Sequence, residues 1–161
     1  MIRLAGQVTG ALTLEIPLDS TAKETVAKGK LDLNDNDIDI ELTSDVILPF
    51  KQVKGQFSFI NGDLTANGLT ATLFEQPVNL SFSSKESAEQ YQLTANLSGL
   101  WNVAKLSRYE KQLAPLQSIG NLDWQGQLDF IQRPDNSYQF AVNLSSQLQG
   151  VKFGLPAPFN K

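Results

Sequence analysis

Cysteine and histidine are both absent from the 161 residues. Without cysteine the chain offers no disulfide, no thiol nucleophile and no thiolate zinc site. Without histidine it lacks the commonest general base and the commonest transition-metal ligand, which excludes Ser-His-Asp and Cys-His catalysis within the chain. We therefore predict a protein that is not an enzyme, with no catalytic residue, no metal site and no cofactor.

Long apolar runs and excess positive charge are missing as well. No stretch of about 18 apolar residues occurs, so no membrane span is predicted, and the first residues, MIRLAGQVTG, do not have the pattern of a signal peptide. The net charge of −4 argues against a nucleic-acid partner, which needs a basic surface. With 41% hydrophobic and 19% charged residues, the composition predicts one folded domain over residues 1–161.

Alternation of apolar and polar residues with a period of two is the main pattern in the chain. From Ile2 to Leu18 the even positions are apolar or glycine, and Gly6 and Gly10 are candidate bulge positions. Similar segments recur as far as Leu144, separated by turn sequences such as NDND, NGD, SSKESAEQ and RPDNS. The pattern predicts about ten strands in hairpins, forming a mainly β fold: an antiparallel, strongly twisted or curved sheet, groove-like or sandwich-like, with one apolar side.

One segment departs from this period. Leu106, Tyr109, Leu113 and Leu116 have helical spacing, and Pro115 is a residue that ends helices. We therefore predict one short helix near residues 102–113, covering one end of the sheet with ordinary core contacts.

The acidic stretch from Lys30 to Leu42, KLDLNDNDIDIEL, raises the question of a calcium loop. Counted from Asp32, the sixth position is Asp37 instead of glycine and the twelfth is Thr43 instead of glutamate, so the EF-hand pattern fails. Because apolar alternation flanks NDND on both sides, we interpret it as a hairpin turn. Asp37, Asp39 and Glu41 would then line a solvent face, with Lys28 and Lys30 on the partner strand, and would deter edge pairing.

Two further patterns are weak candidates for chemistry. Ser20–Lys23 (STAK) matches a Ser-x-x-Lys nucleophile motif, but the other motifs of that class are missing. Asp123 and Asp129 are candidate paired carboxylates for glycoside hydrolysis, although their pattern is that of outward-facing strand residues.

A loose repetition also runs through the chain. GALTLEIPL, GLTATLFEQPV and GVKFGLPAPF each place a glycine, an alternating strand and then a proline, at Pro17, Pro77 and Pro156. Proline lacks the N–H that a ladder needs, so it lies at strand ends or edges. The three copies indicate a repeated strand-and-bend unit.

The order and spacing of several segments resemble the AsmA-like proteins of Gram-negative bacteria, in the YhdP branch that is related to TamB. The resemblance covers most of the chain and is carried by GKLDL, GQFSFINGDLTANGLTATLFEQPVNLSF, LSGLWNVAKL, GNLDWQGQLDF and LQGVKFGLPAPFNK. Glu75 departs from the family, which often has glycine before QPV, so this turn is expected to differ.

The resemblance implies a function as well as a fold. Proteins of this family are long, repeat-built and anchored in the inner membrane, and their periplasmic sheet forms a hydrophobic groove that lets phospholipids pass toward the outer membrane. This chain would be a periplasmic fragment of such a protein, supporting outer-membrane lipid homeostasis and barrier function. Its partners would be phospholipid acyl chains, neighbouring repeats of the parent chain, and possible second copies that dimerise through the apolar face or the edge strands.

A β-strand can line such a groove with every second residue, and acyl chains need apolar area without directional contacts. The predicted lining residues are Leu12, Leu14, Ile16, Ile38, Ile40, Phe57, Phe59, Leu80, Phe82, Leu128, Phe130, Phe140 and Val142. The same residues could form a closed core, which leaves a non-catalytic structural or interaction module, a scaffold for envelope assembly, as an alternative. A carbohydrate-binding β-sandwich is a weaker one and would need Trp101 or Trp124 exposed among carboxylates.

Overall fold

One open sheet accounts for nearly all of the computed structural model, which describes residues 2–18, 25–43, 46–106, 109, 120–149 and 151. Within these ranges eight strands lie side by side in chain order, each antiparallel to its neighbours. The elements are β1 (Ile2–Glu15), β2 (Val26–Thr43), β3 (Val46–Ile60), β4 (Asp63–Leu73), β5 (Gln76–Glu86), β6 (Tyr91–Asn102), α1 (Val103–Leu106), β7 (Asn121–Gln132) and β8 (Tyr138–Ser146). The mainly β, antiparallel fold with little helix is confirmed, with eight strands instead of about ten.

Short turns make this order possible. Asn61 and Gly62 connect β3 to β4, and Asn61 has a φ of 53°, which asparagine tolerates in a tight hairpin turn. Phe74 and Glu75 connect β4 to β5 with φ values of 52° and 58°, so two ordinary side chains accept left-handed backbone at this turn. The predicted turn sequences place connections between strands at residues 61–62, 87–90 and 133–137, although the first half of SSKESAEQ, as far as Glu86, still belongs to β5.

The predicted hairpin at NDND is wrong. Residues 34–37 lie inside β2, which runs without a turn between β1 and β3 and is therefore not an edge strand. The pairing of β2 shifts register there, because Asp35 has a φ of 64° and adds a residue to the strand as a bulge. Asn36 is fully buried, and its Oδ1 accepts the backbone N–H of Asn34 at 2.8 Å. The tendency of asparagine and aspartate to adopt positive φ serves a bulge here instead of a turn.

Similar irregularities cross the neighbouring strands. Gly6 in β1, Gln52 and Gly55 in β3 and Gly68 in β4 all have positive φ. The pairings of β1–β2, β2–β3, β3–β4 and β4–β5 each change register near these residues. Gly6 confirms one of the two predicted bulge positions. Because a bulge bends its strand and increases its twist, bulges in adjacent strands concentrate bending along one band of the sheet.

The helix coincides only with the start of its predicted range. α1 covers Val103–Leu106 and follows β6 directly, and Val103 is buried. Of residues 107–119 only Tyr109 is described, so the remainder of the predicted helix, with Leu113, Pro115 and Leu116, lies outside the described residues. No helix in the described ranges has the length and apolar character needed to cross a membrane.

Candidate functional site

Two chemically different sides of the sheet follow from the register. Paired residues of antiparallel strands point to the same side, so each chain of pairings defines a row across the sheet. One such row runs Gly10, Leu31, Phe57, Ala66, Phe82, Ala95, Leu128 and Val142. The next runs Leu12, Gly29, Phe59 and Leu64, whose N–H donates to the Oγ of Ser84, and continues through Ser84, Leu93, Phe130 and Phe140. We call the side that carries these rows the apolar face, and the opposite side the polar face.

The predicted lining residues are brought together on the apolar face. The strand register places twelve of the thirteen on this face: Leu12, Leu14, Ile38, Ile40, Phe57, Phe59, Leu80, Phe82, Leu128, Phe130, Phe140 and Val142. Ile16 follows the last residue of β1 and is exposed. The sequence pattern therefore identifies a shared face, whatever that face contacts.

The middle of the apolar face is covered by its own side chains. A cluster of buried residues occupies it: Leu33, Phe50, Val53, Ala66, Leu69, Ala71, Leu73, Val78, Trp101 and Trp124. Phe57 and Phe82 approach each other across the intervening Ala66, with ring centroids 6.2 Å apart, and both are half-buried. Strands two positions apart are separated by about 9–10 Å, so the two rings lean toward each other over the small side chain of Ala66.

The edges of the apolar face are open. Leu12 on β1 is 68% exposed and Leu144 on β8 is 71% exposed, and other apolar residues of these two strands are also exposed. In the described ranges β1 pairs only with β2, and β8 only with β7. The apolar surface thus continues outward from a buried middle to two solvent-exposed edge strands, which is unusual for a protein that buries its core alone.

One end of the apolar face carries a group that we call the tryptophan cluster: Phe74, Trp101 and Trp124. The two indole rings lie 4.4 Å apart between centroids, and Phe74 meets Trp101 edge-on at 6.3 Å. Both tryptophans are buried. Neither is exposed among carboxylates, as the carbohydrate-binding alternative requires.

Side chains take the place of backbone pairing beside this cluster. The ladder between β5 and β6 reaches Asn79 and Ser98. Beyond it, the indole Nε1 of Trp101 donates to the carbonyl oxygen of Pro77 at 2.8 Å, and the Oε1 of Gln76 accepts the N–H of Asn102 at 2.6 Å. The two strands are therefore held together at this end by a tryptophan and a glutamine. Sequence reasoning missed Gln76, whose position next to Pro77 was the available signal.

Two buried donors of this region have no acceptor among the described residues: the Nε2 of Gln76 and the Nε1 of Trp124. Gln76 is 3% exposed and Trp124 is 7% exposed. A buried N–H without an acceptor is costly and uncommon in folded proteins. This pair is thus the most unusual polar feature of the apolar face.

The charges lie elsewhere. Lys51, on the polar face, is 3.3 Å from Asp39 and 3.3 Å from Asp37, and the hydrogen bonds that its ammonium donates to Asp39 and Asp37 raise the pKa of Lys51. Lys28 pairs with Glu15 of β1. The prediction that Lys28 and Lys30 lie on the strand paired with the acidic residues is wrong, because both lysines lie on β2 with them. The cation beside Asp37 and Asp39 is Lys51 of β3.

The acidic residues do not form a site. Asp123 and Asp129 lie on the same strand with five residues between them, a separation of about 20 Å that is too long for the carboxylate pair of a glycosidase. In the described ranges no group of three acidic side chains could hold a metal ion. Ser20 to Lys23 lie outside the described residues.

Comparison with known proteins identifies the family to which this chain belongs. The family model described as YhdP protein matches residues 1–161. The chain is also 34% identical, over 160 residues, to the protein named "Intermembrane phospholipid transporter YhdP" of Escherichia coli (strain K12). That match covers 99% of this chain but 12% of the length of the relative. No solved structure matches the chain.

Proposed function

The chain belongs to the YhdP protein family, and we propose that its apolar face forms one stretch of a hydrophobic groove that carries phospholipid acyl chains between the inner and outer membranes. The observation that carries the proposal is the placement of twelve predicted lining residues on one face that stays open at both edge strands. The name of the Escherichia coli relative supplies the class of cargo.

The physics of the apolar face suits acyl chains. Each methylene removed from water contributes about 0.8 kcal/mol without requiring a directional contact, so a continuous apolar surface binds lipid tails with no sequence motif. Among the strand residues described on this face, the register places one charged side chain, Glu86, at the end of β5 away from the tryptophan cluster. Lipid tails would meet no charge between these two ends.

The setting of the groove is part of the proposal. We place the chain in the periplasm, as a single β-rich fragment of a longer repeat-built protein anchored in the inner membrane, where it supports outer-membrane lipid homeostasis and the permeability barrier. Neighbouring repeats would continue the groove beyond β1 and β8. In isolation, two copies would associate through the apolar face or the edge strands. The function is non-catalytic and needs no cofactor.

The test is native mass spectrometry of the purified chain, combined with lipid extraction from the same sample. We expect phospholipid to co-purify with the wild-type chain and to be lost in Phe82→Asp and in Val142→Asp. Val142 is exposed on an edge strand, so its substitution leaves the buried cluster intact. The matched control is Ser83→Asp, which puts the same charge on the polar face beside Phe82.

Equal lipid content in Val142→Asp, Phe82→Asp and Ser83→Asp would contradict a groove on the apolar face. A stable wild-type monomer without lipid would do the same. Such a monomer would favour the second candidate, a structural module. The observation that supports this second candidate is that β1 and β8 each have one side unpaired in the described ranges, ready for strand addition by adjoining parts of the parent protein.

A further inference from the structure

Two adjoining depressions lie on the polar face, on the other side of the sheet from the proposed groove. One has a volume of about 330 Å³, and its polar-face side chains are Asn79, Ser81, Asn96, Ser98 and Gln125. The other has a volume of about 340 Å³ and is lined by Asp123, Gln125, Ser145 and residues 146–149. Because both contain Gln125, we treat them together and call them the polar trough.

The strand register arranges the polar trough as a line across the sheet. One row of direct partners crosses β5 to β8 through it: Asn79, Ser98, Gln125 and Ser145. Partners of this kind point to the same side, and three spacings between strands make the row about 14 Å long. The β4 end is open, because no described atom outside the adjacent chain lies within 4 Å of the point that a Cβ at Gly68 would occupy.

The hydrogen-bonding groups of the polar trough are unused by the protein. Within the part of the chain that the structure describes, no protein partner is found for the side chains of Asn79, Ser81, Asn96, Ser98 and Gln125. Each amide offers two N–H donors and a carbonyl acceptor, and each hydroxyl offers one donor and two lone pairs. Just outside the trough, by contrast, Thr94 and Gln127 both donate to Asp129 at 2.8 Å.

The polar trough is also nearly neutral. The described residues that line it include no lysine or arginine and one carboxylate, Asp123. The lysines that pair with the acidic residues of β2, Lys51 and Lys54, lie on β3. A phosphate or carboxylate ligand would therefore meet no cation in the trough, whereas an uncharged polar ligand can use its donors and acceptors without that cost.

We propose that the polar trough binds a neutral glycan chain through its hydroxyl and acetamido groups. Sugar hydroxyls both donate and accept, as the side chains of the trough do, and an acetamido group can pair with a side-chain amide. A chain fits better than a single sugar, because the row of partners is long and open at Gly68. Neither tryptophan takes part, so this site is separate from the one that the carbohydrate-binding alternative required.

The test is an NMR titration of the isotope-labelled chain with tetra-N-acetylchitotetraose, a neutral glycan. We expect the side-chain amide resonances of Asn79, Asn96 and Gln125 to shift. Asn96→Ala/Gln125→Ala removes two exposed amides of the trough and is expected to weaken binding by about tenfold or more, since each lost hydrogen bond costs about three- to tenfold. The matched control, Gln92→Ala/Gln139→Ala, removes two exposed amides of the same face outside the trough and is expected to bind as the wild type does.

Glycerol 3-phosphate is the comparison ligand, because it combines hydroxyl groups with a phosphate. We expect it to leave the three amide resonances unchanged, and shifts equal to those with the glycan would assign the trough to a polar headgroup instead. No amide shift with the glycan, or equal affinity in the two double variants, would overturn the proposal. Because the trough and the proposed groove lie on opposite faces, this result and the lipid content of the chain are independent.

Discussion

The indole ring of Trp124 lies across Gly126, with its Cζ3 atom 3.0 Å from the point that a Cβ at Gly126 would occupy. The Cδ2 of Leu144 is 2.8 Å from the same point. The missing side chain of Gly126 thus creates the space in which a ring of β7 and a leucine of β8 pack against the sheet.

Gly126→Ala is expected to destabilise the fold by about 1 kcal/mol, because a methyl group would press on the buried ring of Trp124, whereas the exposed side chain of Leu144 can turn away. Urea unfolding followed by tryptophan fluorescence measures the change. Gln125→Ala, on the exposed polar face of the same strand, is the control and is expected to shift the midpoint little. Equal midpoints for the two variants would show that this contact is not tight.

Asn36→Ala is expected to cost about 1–3 kcal/mol, because it removes the acceptor of the Asn34 N–H inside the β2 bulge and leaves that donor unsatisfied. The Nδ2 of Asn36 also lies 3.5 Å from the carbonyl oxygen of Ala5 on β1. The comparison variant is Asn34→Ala, whose exposed side chain is expected to contribute little. If both variants unfold at the same urea concentration, the buried amide does not hold the bulge.

The two tryptophans provide a matched pair for the lipid-free protein. Trp101→Phe breaks the hydrogen bond to Pro77 and leaves that carbonyl unpaired where β5 and β6 separate, whereas Trp124→Phe removes a donor that has no acceptor. We expect Trp101→Phe to lower the free energy of unfolding by about 1 kcal/mol more than Trp124→Phe, since both lose similar ring area. The reverse order would show that Trp124 has a partner in the folded chain.

Acid is expected to weaken the junction of β4 and β5 at Asp63. The Lys85 ammonium, 2.7 Å away, and the N–H of Glu86 lower the pKa of the Asp63 carboxyl. A carboxyl whose pKa is lower in the folded state stabilises the fold above the unfolded pKa, near pH 4, and this contribution is lost as the pH falls through the folded pKa.

The difference in unfolding midpoint between wild type and Asp63→Asn should therefore be largest at neutral pH and shrink toward pH 3. Denaturant unfolding at a series of pH values measures it. The carboxyl is exposed, so the effect is small and best measured at low salt. A difference that stays constant with pH would contradict a role for the ionised carboxylate.

The sequence predicted the face of the sheet better than its connectivity. Alternation placed Phe57, Phe82 and Leu128 on one face, because a period of two determines which side a strand residue takes whatever its partners are. The same alternation moves from odd positions at Leu31 and Leu33 to even positions at Ile38 and Ile40. A bulge and a hairpin turn both produce such a change, and asparagine and aspartate favour both, so local pattern could not separate them.

The tryptophan cluster lay beyond sequence reasoning for a different reason. Trp101 bonds to Pro77, which is 24 positions away, and contacts Trp124, which is 23 positions away, and neither partner shares a motif with it. The hydrogen bond forms because the backbone pairing of β5 and β6 ends before that point. No residue in either strand predicts where this pairing ends.

Chain order and spatial order are identical in this sheet, and this has a consequence for how the fold is built and inherited. In the described ranges each strand pairs only with its neighbours in the chain, so closure of each hairpin constrains few residues and depends on no distant segment. Emerging from the ribosome, such a chain can add each strand to a finished edge. A duplicated hairpin would pair with the same edge strand and leave the order of the other strands unchanged. Such a sheet can therefore lengthen in evolution by simple repetition.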